Sequence, residues 1–170
     1  MIQQLETTAT LATRPGTPAD QPWIREQLTR RWGSCHIVTR GQVHNAVLLP
    51  ALLAELAGRR VGLATYHPAG EECELVTLDS FLPGRGVGAQ LIAAVKAAAL
   101  AAGCRRLWLI TTNDNLNALR FYQKQGFVLA ALYPNAIAQS RQLKPEIPLI
   151  GEEGIPIRDE LLLTIPLAAR

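Results

Sequence analysis

Residues Asn115–Phe127 read NLNALRFYQKQGF and provide the starting point for interpreting the chain. Asn115, Ala118 and Tyr122 recur at intervals of three and four residues, which places them on one face of a predicted helix. Asn115 can cap the start of this helix, and Gly126 ends it. Small Ala118 leaves room for a ligand against that face. Taken alone, Tyr122 could equally be an aromatic residue with its hydroxyl at the surface.

Strands are predicted on both sides of this helix, at Arg106–Thr111 and Phe127–Tyr133. A second helix is predicted upstream over Val87–Ala102, because its apolar residues recur on one face and Gly103 follows as a terminator. A strand–helix–strand order implies a right-handed crossover between neighbouring parallel strands. The middle of the chain is therefore expected to contain a parallel pair.

The first half of the chain shows a different pattern. Thr8–Arg14 predicts a short strand, Thr17–Asp20 predicts a helix start, and Gly33 ends that helix. Residues 34–49 show no clear pattern and are expected to form a loop. Three further strands, with turns between them, are predicted at Leu49–Leu56, Arg59–Tyr66 and Glu72–Leu78, the second turn being His67–Gly70. We expect an antiparallel meander, and the fold class is mixed α/β.

The composition predicts a single domain over residues 1–170 with its core at 8–133, because the length suits one full hydrophobic core. The net charge of +3 suits an anionic ligand, but no basic run or aromatic stripe predicts a nucleic-acid partner. The cysteines and histidines lack metal-ligand spacing, so we expect reduced thiols and no metal. With no signal-peptide pattern or long apolar segment, we expect a cytoplasmic protein without a membrane partner.

Leu82–Ala89 reads LPGRGVGA and lies between a predicted strand and a predicted helix. Glycine lets a pyrophosphate approach the backbone, and the free N–H groups of a first helical turn attract anions. Three interpretations compete: a turn that only packs closely, a dinucleotide-binding loop, or a loop for another diphosphate ligand. A long segment precedes the loop, and the strand ending at Thr111 leads to Asn113 rather than an acid, so the dinucleotide interpretation is disfavoured.

The loop and Asn115–Phe127 together resemble the GNAT acetyltransferases. Gly86–Gly88 matches the end of the family's motif A, Arg/Gln-x-x-Gly-x-Gly/Ala, and Asn115–Phe127 matches Asn-x-x-Ala-x-x-x-Tyr-x-x-x-Gly-Phe at every defined position. Pro83 occupies the Arg/Gln position and has no N–H to donate. One phosphate contact is therefore expected to be missing or supplied by Arg85.

This resemblance implies the GNAT fold, in which helices flank a mostly antiparallel sheet and the parallel fourth and fifth strands splay to admit acetyl-CoA. It implies that Tyr122 acts as a general acid toward the leaving thiolate, and that amides near Leu78 polarise the thioester carbonyl. The residues implied to bind the cofactor are Leu78, Gly84, Arg85, Gly86, Val87, Gly88, Ala89, Asn115, Ala118 and Tyr122.

Glu72 and Glu74 are the candidates for the general base. They lie two residues apart, hence on one face of the predicted strand, and upstream of the loop, where several GNAT enzymes keep a catalytic glutamate. Such a carboxylate could act through water or attract a cationic substrate. The alternative is an exposed strand face with solvated acids. His36 and His44 are weaker candidates, since a single histidine in a loop is usually a surface residue.

Residues 134–157 are predicted to be an insertion, a short helix followed by a loop, before a last strand at 158–166. The insertion either closes the sheet edge or forms a rim for the acceptor pocket. In the second case Arg141, Lys144 and Arg158 would face that pocket.

The predicted function is transfer of an acetyl group from acetyl-CoA to a primary amine by direct attack in a ternary complex. The acceptor is a small molecule or a peptide, and the protein is a monomer or a homodimer. The alternative is a catalytically silent acyl-CoA-binding or regulatory module. Nothing in the sequence distinguishes among the classes of amine.

Overall fold

The computed structural model describes residues 9–168. Within them the chain forms nine strands, four α-helices and three short 3₁₀ turns. In chain order they are β1 (Ala12–Pro15), α1 (Gln21–Trp32), β2 (His36–Thr39), β3 (Gln42–Asn45), β4 (Ala51–Leu56), β5 (Arg59–Ala69), β6 (Glu72–Ser80), α2 (Val87–Ala101), β7 (Arg106–Thr112), α3 (Leu116–Lys124), β8 (Val128–Tyr133), α4 (Ala136–Leu143) and β9 (Glu160–Pro166).

Seven of the described strands form one sheet in the order β1-β4-β5-β6-β7-β9-β8, and β2 and β3 form a separate hairpin. Adjacent strands of the large sheet are antiparallel except β6 and β7, which are parallel. The predicted meander is β4–β5–β6, and α2 is the crossover between β6 and β7. The mixed α/β class with one parallel pair is confirmed.

The order of strands around α3 differs from the prediction. The strands on either side of α3, β7 and β8, were expected to be neighbours, but β9 lies between them. β9 is antiparallel to both, with Leu163 opposite Leu109 of β7 and Leu129 of β8. Leu163 is fully buried, and Leu161 and Ile165 pack against the same core. Burying β9 between β7 and β8 is therefore more favourable than pairing β7 directly with β8.

Residues 34–49 were expected to be a loop, and this prediction is wrong. They form the β2–β3 hairpin and a 3₁₀ turn at Ala46–Leu48. Arg40 and Gly41 have φ values of 51° and 71°, as in a two-residue hairpin turn. Ile37 is buried against the same cluster as α1. Each strand has four residues, too few for an alternating pattern to stand out in the sequence.

Two other boundaries differ. The first strand is shorter than the predicted Thr8–Arg14, and Thr8 lies outside the described residues. The predicted turn at His67–Gly70 is wrong because β5 continues to Ala69. β4 stops pairing opposite Thr65, so β5 has a free edge at Pro68, where a missing N–H is tolerated.

The large sheet carries a helix on each face. Leu75 and Val76 are adjacent in β6 and belong to different buried clusters, as expected for residues on opposite faces. The first cluster contains the apolar face predicted for α2, which is Leu91, Ile92, Val95 and Ala99. The second contains Ile24 and Leu28 of α1. Each fully buried aliphatic side chain contributes roughly 1.5–3 kcal/mol.

Gly62 brings β5 into close contact with α2. A Cβ at this position would lie 2.5 Å from Val87 Cγ1 and 2.9 Å from Leu91 Cδ1. We expect Gly62→Ala to lower the free energy of unfolding by about 1–3 kcal/mol through overpacking, as measured by urea denaturation. Val87→Ala in the same chain should recover part of that loss, because it removes the closest methyl group. Unchanged stability of Gly62→Ala would contradict this packing.

Candidate active site

The parallel strands β6 and β7 separate after a short contact. They pair over Glu72–Glu74 and Arg106–Trp108, and their pairing ends there. β6 continues to Ser80 and β7 to Thr112. The carboxyl ends of the two strands therefore splay apart, as the resemblance implied. A cleft of about 600 Å³ lies beside the end of β6 and reaches α2 and α3.

The glycine-rich turn after β6 forms one wall of this cleft. Gly84 and Gly86 both have a φ of 73°, a left-handed conformation that favours glycine. Gly86 is the N-cap of α2, and no side chain of the described residues caps that helix end. The first amides of α2 are therefore available to an anion, and the helix dipole favours one there. This geometry suits a diphosphate.

The glycine turn and the predicted tyrosine helix are in direct contact. A Cβ on Gly88 of α2 would lie 2.9 Å from Phe121 Cζ of α3, so glycine allows these two helices to approach. Asn115 caps α3, its Oδ1 accepting a hydrogen bond of 3.1 Å from the Ala118 amide. The two sequence motifs thus meet at a single cleft.

Tyr122 lines the same cleft as the glycine turn. Its ring makes edge contacts with Phe121 and Phe127, at centroid distances of 5.3 and 5.7 Å. Burial raises the pKa of the Tyr122 phenol well above its usual range, and the negative charge of Asp79 raises it further. The phenol is therefore protonated at neutral pH and can donate, not accept, a proton.

A β-bulge precedes Leu78 on β6. Thr65 of β5 is opposite Thr77, whereas Tyr66 is opposite Leu75, so Val76 is an extra residue. A bulge turns amides and side chains away from their regular directions. Because pairing with β7 has already ended at Glu74, backbone groups of Val76 to Leu78 face the splayed gap. They are candidates for polarising a carbonyl oxygen.

Comparison with known proteins agrees with this geometry. Residues 10–127 match the sequence model of the acetyltransferase (GNAT) family. The chain belongs to this family. It is 38% identical over 151 residues to the uncharacterized protein YdhI of Bacillus subtilis (strain 168), a match that covers 88% of this chain and 94% of YdhI.

Solved GNAT structures share the fold. A GNAT family acetyltransferase from Elizabethkingia anophelis with acetyl-CoA bound has a TM-score of 0.64 and 22% identity, covering 92% of this chain and 98% of that one. A Bacillus subtilis acetyltransferase in complex with CoA has a TM-score of 0.66 and 20% identity, covering 94% and 100%. At these identities the likeness supports the fold alone.

Most of the residues that were predicted to bind the cofactor line the GNAT cleft. These are Leu78, Gly84, Gly86, Val87, Gly88, Ala89, Ala118 and Tyr122. The cleft does not include Asn115, which caps α3, or Arg85, which is exposed. Arg85 was expected to compensate for Pro83. The cation on the cleft wall is instead Arg31, in the last turn of α1. Their roles toward a cofactor stay predictions.

The structure separates the two candidate bases. Glu72 is 47% exposed and forms a surface ion pair with Arg106. The Glu74 side chain is 3% exposed, and its Oε1 accepts a 2.6 Å hydrogen bond from Thr39 Oγ1. Its Oε2 lies 3.0 Å from His44 Nε2. Burial raises the pKa of Glu74, while Thr39, His44 and His67 act in the opposite direction. Neither residue is part of the cleft lining.

Asp79 is a residue that the sequence analysis missed. It follows Leu78 directly, is buried, and accepts hydrogen bonds from Trp32 Nε1 at 2.9 Å and Arg31 Nε at 3.3 Å. Burial raises the pKa of its carboxyl group, and Trp32 and Arg31 oppose that rise. An acid within the apolar run LVTLDS was the available signal, because a charge there must be paired.

The three cations of the insertion make contacts within the protein. Arg141 donates to the carbonyl oxygens of Ile147, Pro148 and Ile157. Lys144 donates to two backbone carbonyls, and Arg158 pairs with Asp159. Whether the insertion forms a rim for an acceptor stays a prediction.

Two classes of feature are absent from residues 9–168. No helix there is both long and apolar enough to cross a lipid bilayer. No three His, Cys, Asp or Glu side chains there are grouped so that they could hold a metal ion.

Proposed function

We propose that this GNAT protein transfers an acetyl group from acetyl-CoA to the primary amine of a small molecule or peptide, by direct attack in a ternary complex. One observation carries the proposal: a single cleft joins uncapped helix amides, a splayed parallel pair of strands and a partly buried, protonated tyrosine. These are the three elements needed to hold a diphosphate, admit an extended thioester arm and protonate a thiolate.

Each part of the cleft suits one part of acetyl-CoA. The amides that begin α2, with Gly84 and Gly86, suit the diphosphate, and Arg31 adds a positive charge to the same cleft. The gap between β6 and β7 suits the pantetheine arm. Backbone groups of Val76 to Leu78 would then lie beside the thioester carbonyl.

The reaction requires three proton or charge movements, and we assign each to one part of the chain. The amine nitrogen attacks the thioester carbon, the carbon–sulfur bond breaks, and the sulfur takes a proton from Tyr122. Amides of the bulged strand stabilise the negative charge that develops on the carbonyl oxygen. The nitrogen loses its proton to a base, and the products are an N-acetyl amide and CoA.

Glu74 is the proposed base, acting through water because its side chain does not line the cleft. It shares β6 with the proposed carbonyl-binding amides, and its burial raises its pKa toward neutrality, which strengthens it as a proton acceptor. His44 contacts Glu74, and its ring lies 5.4 Å from that of the exposed His67. This pair provides a path by which a proton can leave for solvent. Glu72 lacks these features.

Thermal unfolding with and without ligand tests the proposal, with Gly86→Ala and Gly58→Ala as a matched pair. Both glycines are left-handed, with φ values of 73° and 71° and open space around an added Cβ, so the substitutions carry similar strain. Acetyl-CoA at a hundred times its Kd should stabilise the native protein by about 2.7 kcal/mol, whereas NAD should not. Gly86→Ala should weaken acetyl-CoA binding roughly tenfold or more, and Gly58→Ala should not.

The acceptor is then sought by following CoA release in a library of primary amines. Stabilisation by NAD but not by acetyl-CoA would contradict the proposal. Equal weakening by the two glycine substitutions would contradict the placement of the diphosphate.

A further inference from the structure

Lys144 is a buried lysine at the start of the loop in the insertion. Its side chain is 8% exposed, and Nζ donates to the carbonyl oxygens of Trp32 at 2.8 Å and His36 at 2.9 Å. Burying an ammonium group against neutral carbonyls costs free energy that an apolar side chain would not. This cost indicates a role beyond stability. The positions of the two carbonyl groups in the fold indicate what that role is.

The two carbonyls bracket the turn between α1 and β2. Trp32 is the last residue of α1, and His36 is the first residue of β2. Gly33, between them, has a φ of 79° and ends the helix. A cation at a helix C-terminus is favoured by the dipole and can bind the carbonyls left free there. Lys144 thus fixes this turn from a segment more than a hundred residues away in the chain.

The same tryptophan also contacts the end of β6, next to the active-site cleft. Its backbone carbonyl is held by Lys144, and its indole Nε1 donates a 2.9 Å hydrogen bond to Asp79 Oδ2. Arg31, the preceding residue, donates to the other oxygen of Asp79 and lines the cleft. Asp79 is buried and adjacent to Leu78. The carboxylate is therefore oriented by Arg31 and by Trp32, whose backbone carbonyl Lys144 binds.

Asp79 directly follows Leu78, which lines the cleft on the part of β6 that no longer pairs with β7. Holding the Asp79 side chain therefore fixes the end of β6 next to the amides that are proposed to polarise the thioester carbonyl. Hydrogen bonds thus join Lys144 to Trp32 and Trp32 to Asp79, at the end of the strand that carries those amides.

We propose that Lys144 is a positioning residue for acetyl transfer: it fixes the turn after α1, and thereby the Trp32 indole, the Asp79 carboxylate and the end of β6 beside the cleft. This rests on the proposed function, because the amides of β6 matter as donors to a thioester carbonyl only in acetyl transfer. It gives the insertion a task at the catalytic centre in addition to covering the sheet.

The test measures turnover, acetyl-CoA affinity and the indole N–H resonances of the full chain. The protein has three tryptophans, so its spectrum should contain three indole signals, and Trp32→Phe identifies that of Trp32. Lys144→Met should move the Trp32 signal alone. It should also lower kcat roughly tenfold to a hundredfold, as a displaced catalytic group does, and leave the acetyl-CoA Kd within about twofold.

A double-mutant cycle shows whether Lys144 acts through Trp32. Trp32→Phe should lower kcat by a similar factor, and the double variant should be no worse than the worse single variant. Lys124→Met, at an exposed lysine in the last turn of α3, is the control and should leave all readouts unchanged. If Lys144→Met does not fold, Lys144→Gln, which keeps one donor, is measured in the same way.

Two outcomes would overturn the proposal. The first is a folded Lys144→Met protein with an unmoved Trp32 signal and wild-type kcat. The second is losses in kcat that multiply in the double variant, because Lys144 would then act independently of Trp32. If the wild-type protein acetylates no amine, the proposed function fails, and the indole spectrum still tests the structural link.

Discussion

Tyr122→Phe is expected to lower kcat about 10²- to 10⁴-fold and to leave acetyl-CoA affinity unchanged. The substitution removes one hydroxyl and keeps the ring, whose edge contacts with Phe121 and Phe127 hold α3 in place. The cleft wall should therefore keep its shape. Only the proton that the phenol would give to the leaving sulfur is lost. A change confined to kcat indicates an interaction made in the transition state and not in the ground state.

Tyr66→Phe is the matched control for this experiment. Tyr66 is also a partly buried tyrosine whose pKa is raised by burial, but it lies on β5 and outside the cleft lining. Loss of the Tyr66 hydroxyl should leave kcat unchanged. Turnover is followed by CoA release, and affinity by titration calorimetry with acetyl-CoA.

The result also discriminates between an enzyme and a catalytically silent acyl-CoA sensor. A sensor would bind acetyl-CoA equally well with Tyr or Phe at position 122, and neither form would catalyse acetyl transfer. Loss of acetyl-CoA binding in Tyr122→Phe would instead mean that the hydroxyl binds the cofactor, and the role of proton donor would be wrong.

The sequence predicted those parts of the fold that local pattern determines. α2 and α3 have strong helical periodicity and clear glycine terminators, so both were confirmed close to their predicted bounds. The glycine turn was recognisable because Gly86 must adopt a left-handed φ and Gly88 must admit Phe121. These constraints act within a few residues or on a single residue type.

What the sequence could not predict depends on long-range contacts. β9 takes its place between β7 and β8 by burying residues such as Leu163, and no local pattern shows that choice. Asp79 and its partners in α1 are nearly fifty residues apart in the chain. Arg31 ends a helix far from the glycine turn in the chain, and no local pattern shows that it lines the cleft.

The second large effect is expected from the acids of β6. Glu74→Gln should lower kcat/KM about 10²-fold or more, whereas Glu72→Gln should change it less than twofold. Both substitutions remove one negative charge and preserve the side chain's shape, and the two residues share a strand. They differ in environment, because Glu72 forms a surface ion pair and Glu74 is buried against Thr39 and His44.

The pH profile gives an independent readout. Burial raises the pKa of Glu74 above the usual value for glutamate, so the ionised form needed in a base is reached only at higher pH. We expect an acidic limb in kcat/KM that lies above the ordinary glutamate pKa. Glu74→Gln should remove that limb, and Glu72→Gln should leave it in place.

Glu74→Gln should lower activity but preserve or raise thermal stability. A carboxyl group whose folded pKa is raised binds its proton more tightly in the native state, so stability falls as pH rises from the unfolded pKa to the folded one. At neutral pH the ionised Glu74 therefore weakens the fold, and Glu74→Gln should unfold at the same or a higher temperature. The amide oxygen of glutamine can still accept from Thr39.

A stable but inactive Glu74→Gln protein would identify this buried charge as one kept for chemistry at the expense of stability. A variant that loses stability and activity together would instead place Glu74 in the packing between β6 and the β2–β3 hairpin. A larger loss of kcat/KM in Glu72→Gln than in Glu74→Gln would indicate that the base is Glu72, at the exposed end of the strand. In that case water, and not the path through His44, would have to take the proton from the amine.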